Sequence, residues 1–217
     1  MASKSCPKSE PRLSHFRWTY WRVWLVAAVA VLILLAIAAQ LGTFPLDLPV
    51  ARTVQRLNPF GYSWAKRLTD TAKPPVAYGL VLVASLVGWR LAGIRATLLA
   101  PAAYAVVLGL DRMLKPWIAR PRPSSALIDV VGASSGFGCP STFGLIYAAT
   151  VGAIAWLVFC RLQGRARWLV VGTCSIVLIA GGAARVVLGG HWPSDLLLSY
   201  LLGGIVVSGL ARVLVGK

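Results

Sequence analysis

Residues 141–160 read STFGLIYAATVGAIAWLVFC, twenty positions without a charged side chain. An α-helix rises about 1.5 Å per residue, so this run covers about 30 Å, the thickness of a bilayer's hydrocarbon core. Working outward from it, five more apolar runs appear. They extend from Trp24 to about Leu41, between Lys73 and Arg90, from after Arg95 to about Leu114, between Arg167 and Arg185, and from Asp195 to Arg212. Lipid satisfies neither a charge nor a free backbone group, so the runs predict an all-α fold: a polytopic membrane helical bundle with six transmembrane helices. Residues 1–22 are expected to form a cytoplasmic N-terminal tail and residues 23–217 the six-helix domain.

The whole chain agrees with that stretch. Of its 217 residues 58% are hydrophobic and 13% charged, against roughly 25% charged in a soluble domain. This excludes soluble, disordered, collagen-like and small disulfide-scaffold classes. The last run holds only 16 residues between Asp195 and Arg212, so one of its ends is expected to stop in a polar cavity. Trp18, Trp21, Trp24, Trp89, Trp117, Trp168 and Trp192 stand near run ends, where an indole keeps one edge wet.

Lys and Arg number 22 against 6 Asp and Glu, a net charge of +16. With the N-terminus inside, twelve of the 22 (among them Lys4, Lys8, Arg12, Arg17 and Lys217) fall on the cytoplasmic side. Four of the ten outside, Lys115, Arg120, Arg122 and Arg185, sit in the clusters below, so both termini are expected in the cytoplasm. Basic residues dispersed between apolar spans fit anionic headgroups better than nucleic acid. A cleaved leader ending near Ala39 competes for the first run, but the long charged segment before it and an even number of spans favour a retained helix. Residues 43–73 alternate apolar and basic positions, which predicts a segment lying along the outer surface with no part in catalysis. Cys6, Cys139, Cys160 and Cys174 show no metal spacing.

Polar residues gather in three places on one membrane face: Lys115 to Arg122, Cys139 to Phe143, and Arg185 to Asp195. Three strong cations, a His and an Asp converging there are costly unless an anion binds, and phosphate is the natural one. In LKPWIARPRP, Lys115 precedes Arg122-Pro123 with six residues between; a snorkelling Lys with solvated Arg residues explains that cluster equally well. In ARVVLGGHWPSD, Arg185 precedes His191 by six positions and Asp195 follows four later. Pro193 suits the first position of a helix, which puts Asp195 in a first turn, where an acid also serves as a simple cap. From composition the two spacings arise by chance roughly 0.03 and 0.004 times in a chain of this length.

These residues resemble the signature of the type 2 phosphatidic acid phosphatase family, Lys-x6-Arg-Pro, Pro-Ser-Gly-His and Ser-Arg-x5-His-x3-Asp, with order and spacing kept from Lys115 to Asp195. The resemblance implies that His191 is the nucleophile and forms a phosphohistidine, and that Asp195 orients its ring. Lys115, Arg122 and Arg185 would bind the phosphoryl oxygens. Ser141, with Thr142 beside it, would bind phosphate at a helix start, a place compatible with Ser141 as an N-cap. Neither metal nor cofactor is implied.

The match breaks at Pro140-Ser141-Thr142-Phe143, where Phe143 replaces the family's proton-donating His, and at Ala184, which replaces Ser. His15, the second histidine, is expected in the tail on the opposite face. A positioned general acid is worth about 10² to 10⁴ in rate. Its loss matters most for an alkoxide leaving group (pKa about 16) and least for a phosphate (about 6). The reading is therefore a lipid phosphatase that cleaves a polyprenyl diphosphate on the outer, periplasmic face of a bacterial inner membrane, in recycling of a cell-envelope carrier lipid. Its partners would be the lipid phosphate substrate and membrane lipids, with no nucleic acid. The alternatives are a catalytically impaired lipid-phosphate binding or transport protein and a phosphotransferase using the same His. Asp111 and Arg112 read as an ion-paired helix end, Asp129 as a loop charge, and residues 134–138 as a flexible loop.

Overall fold

The computed structural model describes residues 12–131 and 135–216, with side chains from residue 20 onward. Lys4, Cys6, Lys8, Ser134 and Lys217, and the side chains of Arg12, His15, Arg17 and Trp18, lie outside the described residues. Nine α-helices make up the described chain: α1 (Arg12–Gln40), α2 (Asp47–Arg56), α3 (Ser63–Asp70), α4 (Val76–Ala92), α5 (Leu99–Ile118), α6 (Thr142–Tyr147), α7 (Ala153–Arg161), α8 (Gly164–Val187) and α9 (Pro193–Leu214). A 3-10 turn, Ile94–Leu98, leads into α5. A π-helical stretch, Ala148–Gly152, joins α6 to α7 in one rod, Thr142–Arg161.

Each apolar run becomes a helix, but several ends move. Tyr20–Gln40, Ile94–Ile118, Thr142–Arg161, Gly164–Val187 and Pro193–Leu214 are long and apolar enough to cross a membrane, while α4 is apolar but only 17 residues long. α1 begins at Arg12, so half of the expected tail is helical. The expected short last run becomes a helix of 22 residues with Asp195 in its first turn and Arg212 in its last. Charge placed the expected boundary too far in, because an acid at a helix start and a base at its end complement the dipole.

Val23, Val26, Leu32 and Ile33 of α1 and Leu169, Ile176 and Ile179 of α8 point outward, as lipid-facing surfaces do. Inward faces are small: α9 buries Ser199, Gly203, Ser208 and Ala211, which lets backbones approach closely. A Cβ on Gly144 would lie 2.8 Å from Ser199 Cβ, so glycine there is what lets the start of α6 meet the start of α9. Beneath that contact Phe143, Ile146, Tyr147, Trp192 and Leu196 form an apolar layer. Trp192 is 2% exposed and belongs to this core, not to a membrane interface.

The helices alternate in direction, so the ends of α1, α5 and α8, the starts of α4, α6 and α9, and the short helices α2 and α3 gather at one end. The three polar clusters all fall there. α2 and α3 lie against α8, and α2 is tied down by Gln55. Its amide donates to the carbonyls of Asp129 and Val187 at 2.7 and 3.1 Å, and its side-chain oxygen accepts from Asp129 N–H.

Candidate active site

The turn between α8 and α9 builds the site. α8 ends in a glycine-capped turn: Gly189 N–H donates to Val186 O at 2.9 Å and Gly190 N–H to Arg185 O at 3.1 Å, the pair of bonds that satisfies a helix's last carbonyls. Gly189 has φ +66°, and a Cβ there would press into the backbone of Asp129 and Val130. The turn folds the Arg185 guanidinium back over Gly190, whose imagined Cβ would sit 3.1 Å from Nη2 and 3.3 Å from Cζ. His191 follows directly, then Pro193 starts α9 and Asp195 reaches back from the third helical position to accept Trp192 N–H at 2.9 Å.

His191 is 2% exposed. Its Nδ1 lies 2.8 Å from Gly138 O and 3.7 Å from Asp195 Oδ2, so the hydrogen bond goes to the Gly138 carbonyl and the carboxylate is the nearest charge. Since a carbonyl only accepts, Nδ1 carries the proton and Nε2 the lone pair. Arg122 Nη1 approaches Nε2 at 3.2 Å and also donates to Gly190 O at 2.5 Å, while its Nε donates to Gly136 O at 3.1 Å. Burial, reinforced by the charges of Arg185 and Arg122 and opposed by Asp195, pushes the imidazole down to about 4. The ring is neutral at pH 7, with its nucleophilic nitrogen directed at a guanidinium.

Among the described residues neither Arg122 nor Arg185 pairs with a carboxylate. Arg185 Nε is buried without a hydrogen-bond partner, a costly state that an anion would relieve. Burial also lowers the pKa of the Arg122 guanidinium, against the opposing pull of Asp195 and Asp111.

Lys115 is engaged elsewhere. Its Nζ contacts Asp111 Oδ1 at 3.1 Å and donates to Thr142 Oγ1 at 2.7 Å, and Thr142 in turn donates to Asp111 Oδ2 at 2.9 Å. The expected Asp111–Arg112 pair does not form, because Arg112 is exposed while residues 111 and 115 share a helix face. Ser141 is wholly buried: its hydroxyl accepts from Gly144 N–H at 3.4 Å and its N–H donates to Ser199 Oγ at 2.7 Å. Phe143 turns toward α8, its ring 4.2 Å from that of Tyr147 and against Gly181.

Three contributors escaped the sequence. Arg120, counted in the basic cluster but given no role of its own there, has a fully buried side chain that donates to Asp195 Oδ1 at 2.5 Å, Asp47 Oδ2 at 2.6 Å, Ser194 Oγ at 2.8 Å and Gly42 O at 3.2 Å. Asp47 comes from the surface segment expected to stand apart from the site; it is 2% exposed and accepts the Ser194 N–H of α9's first turn at 3.0 Å. Gly138, expected in a flexible loop, is pinned by its N–H to Arg120 O at 2.8 Å and presents its carbonyl to His191. The available signals were faint: a second Arg in ARPRP, and a lone acid opening a basic segment.

Comparison with curated protein sequences finds no significant match. A solved structure described as the first transmembrane PAP2 type phosphatidylglycerolphosphate phosphatase from Bacillus subtilis aligns with a TM-score of 0.69 at 19% identity, over 85% of this chain and 94% of that one. At that identity the likeness is one of fold. The profile of the PAP2 superfamily matches residues 96–216, more than half of the chain and the whole stretch from Lys115 to Asp195. With every polar cluster inside the matched region and a membrane phosphatase sharing its helical arrangement, this multi-pass membrane protein belongs to the PAP2 superfamily.

Proposed function

We propose that the chain is a metal-independent lipid diphosphatase with six membrane spans, α4 being the shortest, both termini in the cytoplasm and the site on the outer face of a bacterial inner membrane. The observation that carries this reading is the geometry of His191, its Nε2 3.2 Å from Arg122, beside an Arg185 whose buried Nε has no partner among the described residues. A terminal phosphoryl group bridging Arg122 and Arg185 would take the place of the Arg122–His191 contact and bring phosphorus to Nε2. The lone pair then forms the N–P bond as the bridging P–O bond breaks, and the lipid monophosphate leaves with the electron pair. Asp195, at 3.7 Å, supports the charge that develops on the ring. Water hydrolyses the phosphohistidine and releases phosphate.

The substrate preference follows from Phe143, which carries no proton to give and packs against Tyr147 and Gly181. A phosphate leaving group departs without an acid, whereas an alkoxide does not. The test compares phosphate release from farnesyl diphosphate and farnesyl monophosphate by the purified protein, with His191→Ala as control. The diphosphate is expected to turn over at least 10²-fold faster, the low end of what a general acid contributes. Equal or better cleavage of the monophosphate would overturn the preference. Binding of both lipids with no turnover would instead mark a lipid-phosphate binding protein, and phosphoryl transfer to an added lipid acceptor in place of water would mark a transferase.

A further inference from the structure

We propose that Arg120 is a positioning residue: it holds Asp195 one step back from His191, so that Gly138 fixes the ring and Nε2 stays open toward Arg122. The proposal rests on the site reading above and adds a residue that touches neither His191 nor the anion.

The geometry leaves Asp195 little freedom. Oδ1 accepts from Arg120 at 2.5 Å and Oδ2 from Trp192 N–H at 2.9 Å. Gly138 stands in front, close enough that a Cβ on it would lie 3.1 Å from Oδ2. Arg120 is itself immobilised, 5.0 Å over the Phe44 ring and bonded to Asp47, Ser194 and Gly42. A buried guanidinium of this kind is stable only with its acceptors in place, so α2, the segment after α5 and the start of α9 are locked together around it.

The distance has a chemical meaning. A carboxylate hydrogen-bonded to Nδ1 would favour the imidazolium, and a protonated Nε2 cannot attack phosphorus. At 3.7 Å, with part of its charge compensated by Arg120, Asp195 supports the cation once the N–P bond forms without creating it in the resting state. The charges facing His191 are Asp195 from α9, Arg185 from α8 and Arg122 from the segment after α5. Arg120 and Asp47 act through Asp195. Two carboxylates consume this one guanidinium, so Arg120 has no share in anion binding, unlike Arg122 and Arg185.

The test is a ¹⁵N-imidazole NMR titration of the full chain in detergent, in a His15→Gln background that leaves His191 as the sole histidine, alongside steady-state kinetics on farnesyl diphosphate. Arg120→Gln is expected to raise the His191 midpoint by about one pH unit or more, as an uncompensated carboxylate within reach does. It should lower kcat about 10- to 100-fold with little change in KM, the signature of a misplaced reacting group. Arg120→Lys, which keeps the charge but loses the planar fork whose two nitrogens each face one carboxylate, should fall between. If Arg120→Gln does not fold, Asp47→Asn decides: it leaves Arg120 wholly to Asp195, so the midpoint must stay at or below the wild-type value. A folded Arg120→Gln with an unmoved midpoint, or a raised midpoint in Asp47→Asn, overturns the proposal. The titration needs no substrate, so a protein that turns over no lipid would sink the function proposed above and leave this inference standing.

Discussion

At the scale of single residues the site is an exercise in keeping charges apart. Among the described residues Arg122 and Arg185 stay without carboxylates while Arg120 absorbs two, and the imidazole beside the first two remains neutral. His191 should therefore lose its nucleophilic form only as pH falls through about 4, not through the ordinary 6.5. The acid limb of kcat/KM, measured with a substrate whose own ionisation is known, checks this. Because the folded-state value lies below the unfolded one, the His191 contribution to stability is complete above pH 6.5 and drains away as pH drops toward 4. Added inorganic phosphate should raise the midpoint by offsetting the two guanidinium charges. Restoring a histidine at position 143 should not create monophosphatase activity, since that side chain points into the layer of Tyr147 and Gly181; Phe143→His should lower the melting temperature and leave the monophosphate uncleaved. The approach of Arg122, Arg185 and Asp195 to His191 was expected from the sequence because such side chains at fixed spacing are rare by chance, whereas Lys115, expected with them, is held by Asp111 and Thr142. The roles of Arg120 and Asp47 were not legible, because their meaning lies in each other, 73 positions apart.

At the scale of elements the α8–α9 turn decides most. Gly190 is outside the left-handed φ region, so Gly190→Ala should fold, but its methyl group meets the Arg185 guanidinium at 3.1 Å. We expect about a tenfold loss in kcat/KM with an unchanged melting temperature, as displacement of an electrostatic ligand would give. Gly189→Ala is the contrasting case: φ +66° and contact with the Asp129–Val130 backbone should cost about 1–3 kcal/mol of stability, read as a lowered melting temperature. Sequence placed the start of α9 correctly, since Pro at the first helical position is a strong start signal. It misplaced the start of α1, the end of α5 and both ends of the last apolar run, because charge was taken as the boundary and these helices continue through charged residues. Nothing in the periodicity of residues 43–73 distinguished an amphipathic helix resting on lipid from one resting on the protein, and Asp47 buried in α2 shows that α2 is the second kind.

For the whole molecule, the alternation of helices puts the loop between α2 and α3 at the end that holds the candidate site and the loop between α7 and α8 at the other. In a cysteine-free background, Phe60→Cys should react with a membrane-impermeant maleimide in intact cells, and Gln163→Cys only after permeabilisation. The reverse pattern would refute the proposed orientation. The bundle's overall plan was readable from composition and run length, because lipid leaves a chain so few options. How the runs pack was not, since it depends on close approaches such as Gly144 on Ser199.

The buried cluster around Arg120 also bears on how the protein is made. A ribosome delivers Asp47 early, Arg120 midway and Asp195 near the end, yet all three meet in one buried cluster. Until the final hairpin enters the bilayer, the nascent chain lacks both His191 and the second carboxylate that Arg120 needs. The site should be completed in a single late step of biogenesis, and a chain halted before α9 should be a substrate for quality control.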